Sequence, residues 1–224
     1  MIRYSKIATG LAVATIAFGQ PQTDAPILPK GRIVLAVAAA KKEGRTEVSL
    51  PALGVMRTGV DSMEVVRDKY SVFLAEPVST AVTATNNSIT TWYTLAIDEV
   101  LLRQPADSLG KDYSELPALV PSPTSNQMLL PFGGGQVVVD GITIREEPAV
   151  GVLQLGKKYV FVLHLQRTTA IAELAAQADG IFELSSDGLS IRSLRPSSRL
   201  AQDVQRQWAD QLDAVRGYLK SRTQ

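Results

Sequence analysis

Asn86-Asn87-Ser88 lies between two β-favouring runs, and the run that follows it constrains the fold more than any other stretch. After the turn, Ile89, Thr91, Tyr93, Leu95, Ile97 and Leu101 share one face at a period of two. Thr90, Thr94 and Asp98 take the other face, with Trp92 among them as the exception. Alternation of this kind describes a long strand with one buried side. A helix period does not fit it. Residues 70–82 precede the turn with their own apolar strand signal, Tyr70-Ser71-Val72-Phe73-Leu74-Ala75-Glu76, so the two runs pair as an antiparallel hairpin.

Further strands are expected downstream. Met128–Leu130, Gln136–Val139 and Ile142–Ile144 are short apolar runs, the last two joined by the turn pair Asp140-Gly141. Tyr159–Leu165 is too short for a typical helix and apolar apart from His164, as a central strand is. Ile181–Leu184, Asp187-Gly188 and Leu189–Ile191 spell another hairpin. Residues 169–178 favour helix by propensity yet stand among strands, and the two signals leave them undecided. Pro131-Phe132-Gly133-Gly134-Gly135 joins one strand to the next. A phosphate-cradling loop would lead into a helix and carry G-K-[ST], and neither is present. The glycines therefore read as a bend in a curved sheet.

Helices bracket the strands. Asp61 and Glu64 stand three apart as a capping box, with Val60 and Val65 as a hydrophobic staple, predicting a brief helix that ends near Asp68 or Lys69. Pro196-Ser197-Ser198 opens a C-terminal amphipathic helix on which Leu200, Val204, Trp208, Leu212, Val215 and Leu219 recur every three or four residues. The expected fold is mainly β: a small antiparallel, OB-like β-barrel over residues 60–195, with a short helix before it and the 196–224 helix covering one side. A β-sandwich is the alternative. Residues 104–127, rich in Pro, Ser, Thr and Asp, form a long loop inside that domain.

The N-terminus has a different grammar. Arg3 and Lys6 precede an apolar run from Ile7 to Phe18, and Ala17-x-Gly19 supplies small residues before the polar stretch at Gln20. Residues 1–19 read as a secretory signal peptide, the apolar run being shorter than the ~20 residues of a membrane span. An N-terminal apolar strand is the other reading. Residues 20–59 follow as a leader with short strands at Ile33–Val37 and Glu47–Leu50. The expected location is periplasmic or extracellular, with no membrane span after cleavage. The chain has no cysteine, which removes disulfides, thiolate catalysis and lipid attachment through an N-terminal cysteine.

The order Tyr70-x-Val72, Asn86-Asn87-Ser88-Ile89, Tyr93-x-Leu95-x-Ile97-x-x-Val100-Leu101, Pro131–Gly135 and Leu155-Gly156-Lys157-Lys158-Tyr159-Val160-Phe161 resembles one in uncharacterised exported bacterial β-barrel domains. These are similar to OB-type barrels, the netrin/TIMP-like group among them. The resemblance covers about residues 60–192 and implies an exported barrel. The cysteines on which the netrin/TIMP group relies are missing here, so that group's protease inhibition is not implied.

Charge and motif bound the function. Lys+Arg 23 against Asp+Glu 22 gives a net charge of +1, so no basic field points to nucleic acid. His164 is the only histidine, too few for a His-based metal cluster, and neither G-x-S-x-G nor H-E-x-x-H occurs. Asp98-Glu99 and Glu146-Glu147 are adjacent acids, which a strand sends to opposite faces. No residue is singled out as catalytic, no metal ligand set is recognised, and no motif calls for a cofactor. The candidate ligand-binding residues are Trp92, Thr90 and Thr94, where a tryptophan on the polar side of a strand offers a surface for a sugar ring, a base or a proline. Burial of Trp92 under a second layer, with Trp208 on the terminal helix, is the competing reading. The expected function is an exported binding domain for a protein, peptide or glycan. A hydrolase with scattered catalytic residues and a structural part of an envelope assembly are the alternatives.

Overall fold

The computed structural model describes residues 12–14, 31–53, 60–105, 109, 120–148, 150–167 and 170–221. The fold is mainly β, with antiparallel sheets and, among the described residues, four helices. β1 is Ala12–Ala14, α1 Arg32–Lys42, β2 Glu47–Leu50 and α2 Met63–Lys69. The long hairpin is β3, Ser71–Ala84, and β4, Ile89–Leu102. Then come β5 Gln127–Gly133, β6 Gly135–Val139, β7 Ile142–Glu146, β8 Tyr159–Leu165 and β9 Ala172–Leu174. β10 Ile181–Leu184, β11 Ile191–Ser193, α3 Arg199–Trp208 and α4 Leu212–Lys220 complete it.

The large sheet has the order β11-β10-β8-β3-β4-β5, with β1 against the end of β3 and β9 against β8. β8 is central, as its apolar run predicts. Alternate residues of β3, β8 and β10 enter two different cores. Phe73, Tyr159, Phe161, Leu163 and Ile181 pack with Tyr93, Leu95 and Phe132 of the neighbouring strands. Val72, Leu74, Val160, Val162 and Phe182 pack under the three later helices with Leu200, Val204, Leu212, Val215 and Leu219. A sheet buried on both faces has little use for polar alternation. No closed barrel forms among the described strands. β5 and the β9 segment meet through one parallel bridge, Leu129 to Ile171, with the Leu129 amide donating to Ala170 O at 2.8 Å.

The small sheet has the order β2-β7-β6, β2 and β7 running parallel. Val48, Val137 and Ile144 bury one of its faces against Ile33, Val37 and Ala40 of α1 and Val82, Ala84 and Ile89 of the hairpin. β5 and β6 are almost one run of chain that changes sheet at Gly134. The glycine triplet is therefore a corner between sheets, in agreement with its sequence reading. Gly134 has φ +102°, and a Cβ there would stand 2.6 Å from Pro148 Cα. Gly135 has φ +139°, and its Cβ would meet Thr91 Oγ1 at 2.6 Å. No other residue type satisfies both demands.

Three expectations need correction, and one open stretch is decided. Ile33–Val37 is helix, within α1. Its buried residues Ile33, Val37 and Ala40 recur at helical spacing, and Lys41 and Lys42 close the last turn. The cap of α2 is Ser62, whose Oγ accepts from Val65 N at 3.4 Å, while Asp61 pairs with Arg199 at 3.0 Å. Residues 171–180 hold β9 and a 3-10 turn, Gln177–Gly180, because the edge of β8 outweighs helix propensity there. The C-terminal helix is two helices, broken where Ala209 and Asp210 adopt φ 48° and 59°. Most of the 104–127 loop, and residues 15–30, lie outside the described residues.

Candidate functional site

The hairpin alternation carries Thr91 and Tyr93 to the end of the large sheet's inner core, beside Phe132 of β5. At this end lies a cleft of about 550 Å³. Tyr93, Phe132, Val150 and Leu153 give it an apolar floor, and Thr80, Ser49, Gln136 and Arg145 line its margin. Gly133, Gly134 and Gly135 supply bare backbone. Val152 and Leu155, 70% and 53% exposed, extend the apolar surface onto the rim.

Two phenols hold one wall. The Gln154 amide donates to the Tyr159 hydroxyl at 3.1 Å, and the Leu153 backbone lies beside the Tyr93 hydroxyl. Burial pushes the Tyr93 phenol up, the Leu153 amide pulls it part of the way back, and nearby Tyr159 adds to the rise. Tyr93 therefore stays a neutral phenol at ordinary pH. Of the charges that line it, Arg145 and Glu146 are engaged within the chain, and Glu147 is exposed. Arg145 pairs with Glu47 at 2.9 Å and donates to Gln136 Oε1 at 2.9 Å. Glu146 is buried; it accepts from Arg32 at 2.9 Å and from the Ile89 amide at 2.7 Å, tying α1, β4 and β7 together. Arg32 also donates to Pro51 O.

The residues singled out from sequence stand elsewhere. Trp92 does not face solvent: it is 8% exposed and packs with Ala81, Val120, Leu129 and Ile171. Its indole N–H donates to Thr83 Oγ1 at 2.9 Å. The cover is not Trp208, which stacks obliquely on Tyr218 with ring centroids 4.7 Å apart. Thr94 is buried and Thr90 half-buried, on the strand face away from the cleft. His164 is half-buried, edge-on to Tyr70 at 6.0 Å, and lines no part of the cleft. Asp98 and Glu99 diverge as expected, to Lys158 at 2.7 Å and to Arg216 at 2.8 Å. Among the described residues no group of three or more His, Asp or Glu is placed to hold a metal ion. No described helix is long and apolar enough to cross a membrane.

Sequence reasoning places Tyr93 inward but does not find the cleft. The available signal is Val150-Gly151-Val152-Leu153-Gln154-Leu155, an apolar run with a glycine inside a connection where polar residues are usual. No family model, no curated protein and no solved structure matches the chain.

Proposed function

We propose that the protein is an exported binding domain that takes an uncharged apolar group of a protein or peptide into the cleft floored by Tyr93 and Phe132. The observation that carries this reading is the pairing of an apolar floor with a margin where Arg145 and Glu146 already have partners in the chain, leaving the exposed Glu147 as the other lining charge. A cleft of about 550 Å³ falls in the size range of small-ligand sites, ~300–1,000 Å³. An ionised group entering it would compete with the Arg145–Glu47 and Glu146–Arg32 pairs and lose its own hydration. A glycan brings many hydroxyls, which need partners that this floor does not offer.

The OB-like barrel belongs to the same reading. The path β8-β3-β4-β5 returns toward β8 through β9, and the Leu129–Ile171 bridge is parallel, so one seam separates the sheet from a five-stranded barrel. Export is supported by the grammar of residues 1–19. In fractionated cells the mature chain is expected outside the cytoplasm, beginning at Gln20 by mass spectrometry. An intact Met1 start retained inside the cell would sink export while leaving the cleft reading in place.

Binding is tested with N-phenyl-1-naphthylamine, a neutral probe whose fluorescence rises on burial. The wild type is expected to give a saturable rise that apolar peptides displace. Thr80→Trp, which fills the margin from a β-strand position that favours aromatics, is expected to weaken it by roughly tenfold or more at unchanged Tm. Equal binding by both proteins, or none by either, rejects the site.

A further inference from the structure

Residues 199–220 carry a conflict between sequence and conformation. In one uninterrupted helix, Leu200, Val204, Trp208, Leu212, Val215 and Leu219 would fall within an arc of about 120°, at 100° per residue. No glycine or proline stands between Arg199 and Arg216 to stop such a helix. The chain nevertheless breaks at Ala209 and Asp210, both in the left-handed region at φ 48° and 59°. That region is unfavourable for any residue with a Cβ, and only Asp140 and Gln177 share it among the other described non-glycine residues.

The break is held from outside the helices. Ile191 N donates to Asp210 O at 2.8 Å, and Leu212 N donates to Leu189 O at 2.9 Å. α4 buries Leu212, Val215 and Leu219 in the core beneath it, while Arg216 and Lys220 grip Glu99 of β4 at 2.8 and 3.0 Å. A second copy of the chain offers the same socket in the same form. Ala209 N already donates to Gln205 O at 2.9 Å, whereas Gln211 N reaches back only to Trp208 O at 2.9 Å. Straightening residues 209–211 into helix would relieve both left-handed residues and bring Asp210 and Gln211 into i to i−4 hydrogen bonding, while swinging α4 out of its own socket.

We propose that two copies of this protein exchange α4, each laying Leu212, Val215 and Leu219 into the other's socket, with Ala209–Gln211 helical in the exchanged form. The contact is isologous and closes on itself, so the assembly stops at a dimer. This rests on the hinge alone and is independent of the cleft.

The absence of cysteine makes a clean test possible. Glu99→Cys and Arg216→Cys are placed in separate chains, mixed at high concentration, warmed toward the melting temperature, cooled and oxidised. A disulfide joining the two chains is expected on a non-reducing denaturing gel, since it requires α4 of one chain on β4 of the other; Glu99→Cys alone should give none. In the otherwise wild-type background, light scattering is expected to find a dimer. Its fraction should fall roughly tenfold in Ala209→Gly/Asp210→Gly, where glycine removes the strain, and rise in Asp210→Ala. A mass that stays monomeric in the wild type and Asp210→Ala, with no mixed disulfide, overturns the proposal. So does a dimer whose fraction ignores both hinge variants.

Discussion

Trp92 lies between Thr91 and Tyr93, and its indole points away from the cleft that those two line. Alternation along β4 makes that direction legible from sequence. What covers it is not legible, because Val120 and Ile171 arrive from segments with no period of their own. Trp92→Ala is expected to cost about 3–5 kcal/mol, read as a shift in the midpoint of urea unfolding, and to strand the Thr83 hydroxyl. Asp203 is a second case, a polar residue between apolar helix positions that turns out to be buried. Burial pushes its carboxyl up, but the Met63 amide at 2.9 Å, Gln207 at 2.7 Å and Arg206 at 2.6 Å outweigh it, leaving the group below its ordinary 3.8. A carboxyl depressed in the folded state contributes stability that is present above its unfolded pKa and lost as pH falls through the folded one. Asp203→Asn should therefore be less stable than the wild type at pH 7, yet lose less further stability between about pH 4 and pH 2. Unfolding curves across that range decide it. Parallel losses in the two proteins would mean that the three donors do not hold the charge.

The β3–β4 hairpin was readable because its partners are neighbours in sequence and its turn residues sit between them. α1 was not. Ile33–Val37 is too short a run to separate a period of 2 from one of 3.6, and its capping groups lie far along the chain. Gly31 lends no side chain, so Arg32 N donates to Asn87 Oδ1 at 3.1 Å and Ile33 N to Asn86 O at 2.9 Å. The hairpin turn thus caps a helix. Asn87→Ala is expected to cost about 1 kcal/mol, while Asn87→Asp, whose carboxylate also accepts and suits the positive end of the helix, should retain most of that stability in thermal melts. Equal losses would assign Asn87 to the turn instead of the cap. The 199–220 stretch failed in the opposite way: its period was clear, but the stop at Ala209 comes from hydrogen bonds to Leu189 and Ile191, which no local pattern announces.

Across the whole molecule, the pairings read correctly from sequence are local, and those missed are remote. β3 with β4, β6 with β7 and β10 with β11 follow from turns. β2 with β7 and β3 with β8 do not. The cleft was hidden for the same reason, since Ser49, Thr80, Phe132 and Leu153 meet only when both sheets are in place. Remote pairings pay their loop-closure entropy before any contact repays it. In refolding followed by pulsed hydrogen exchange, the β3 and β4 amides are expected to gain protection before those of β2. Simultaneous protection would show that the small sheet is part of the nucleus. The parallel pairing of β2 with β7 also sets a schedule. On a chain delivered N-terminus first, β2 emerges long before the strand it pairs with, and its edge stays open to any holding factor until Ile142–Glu146 follows.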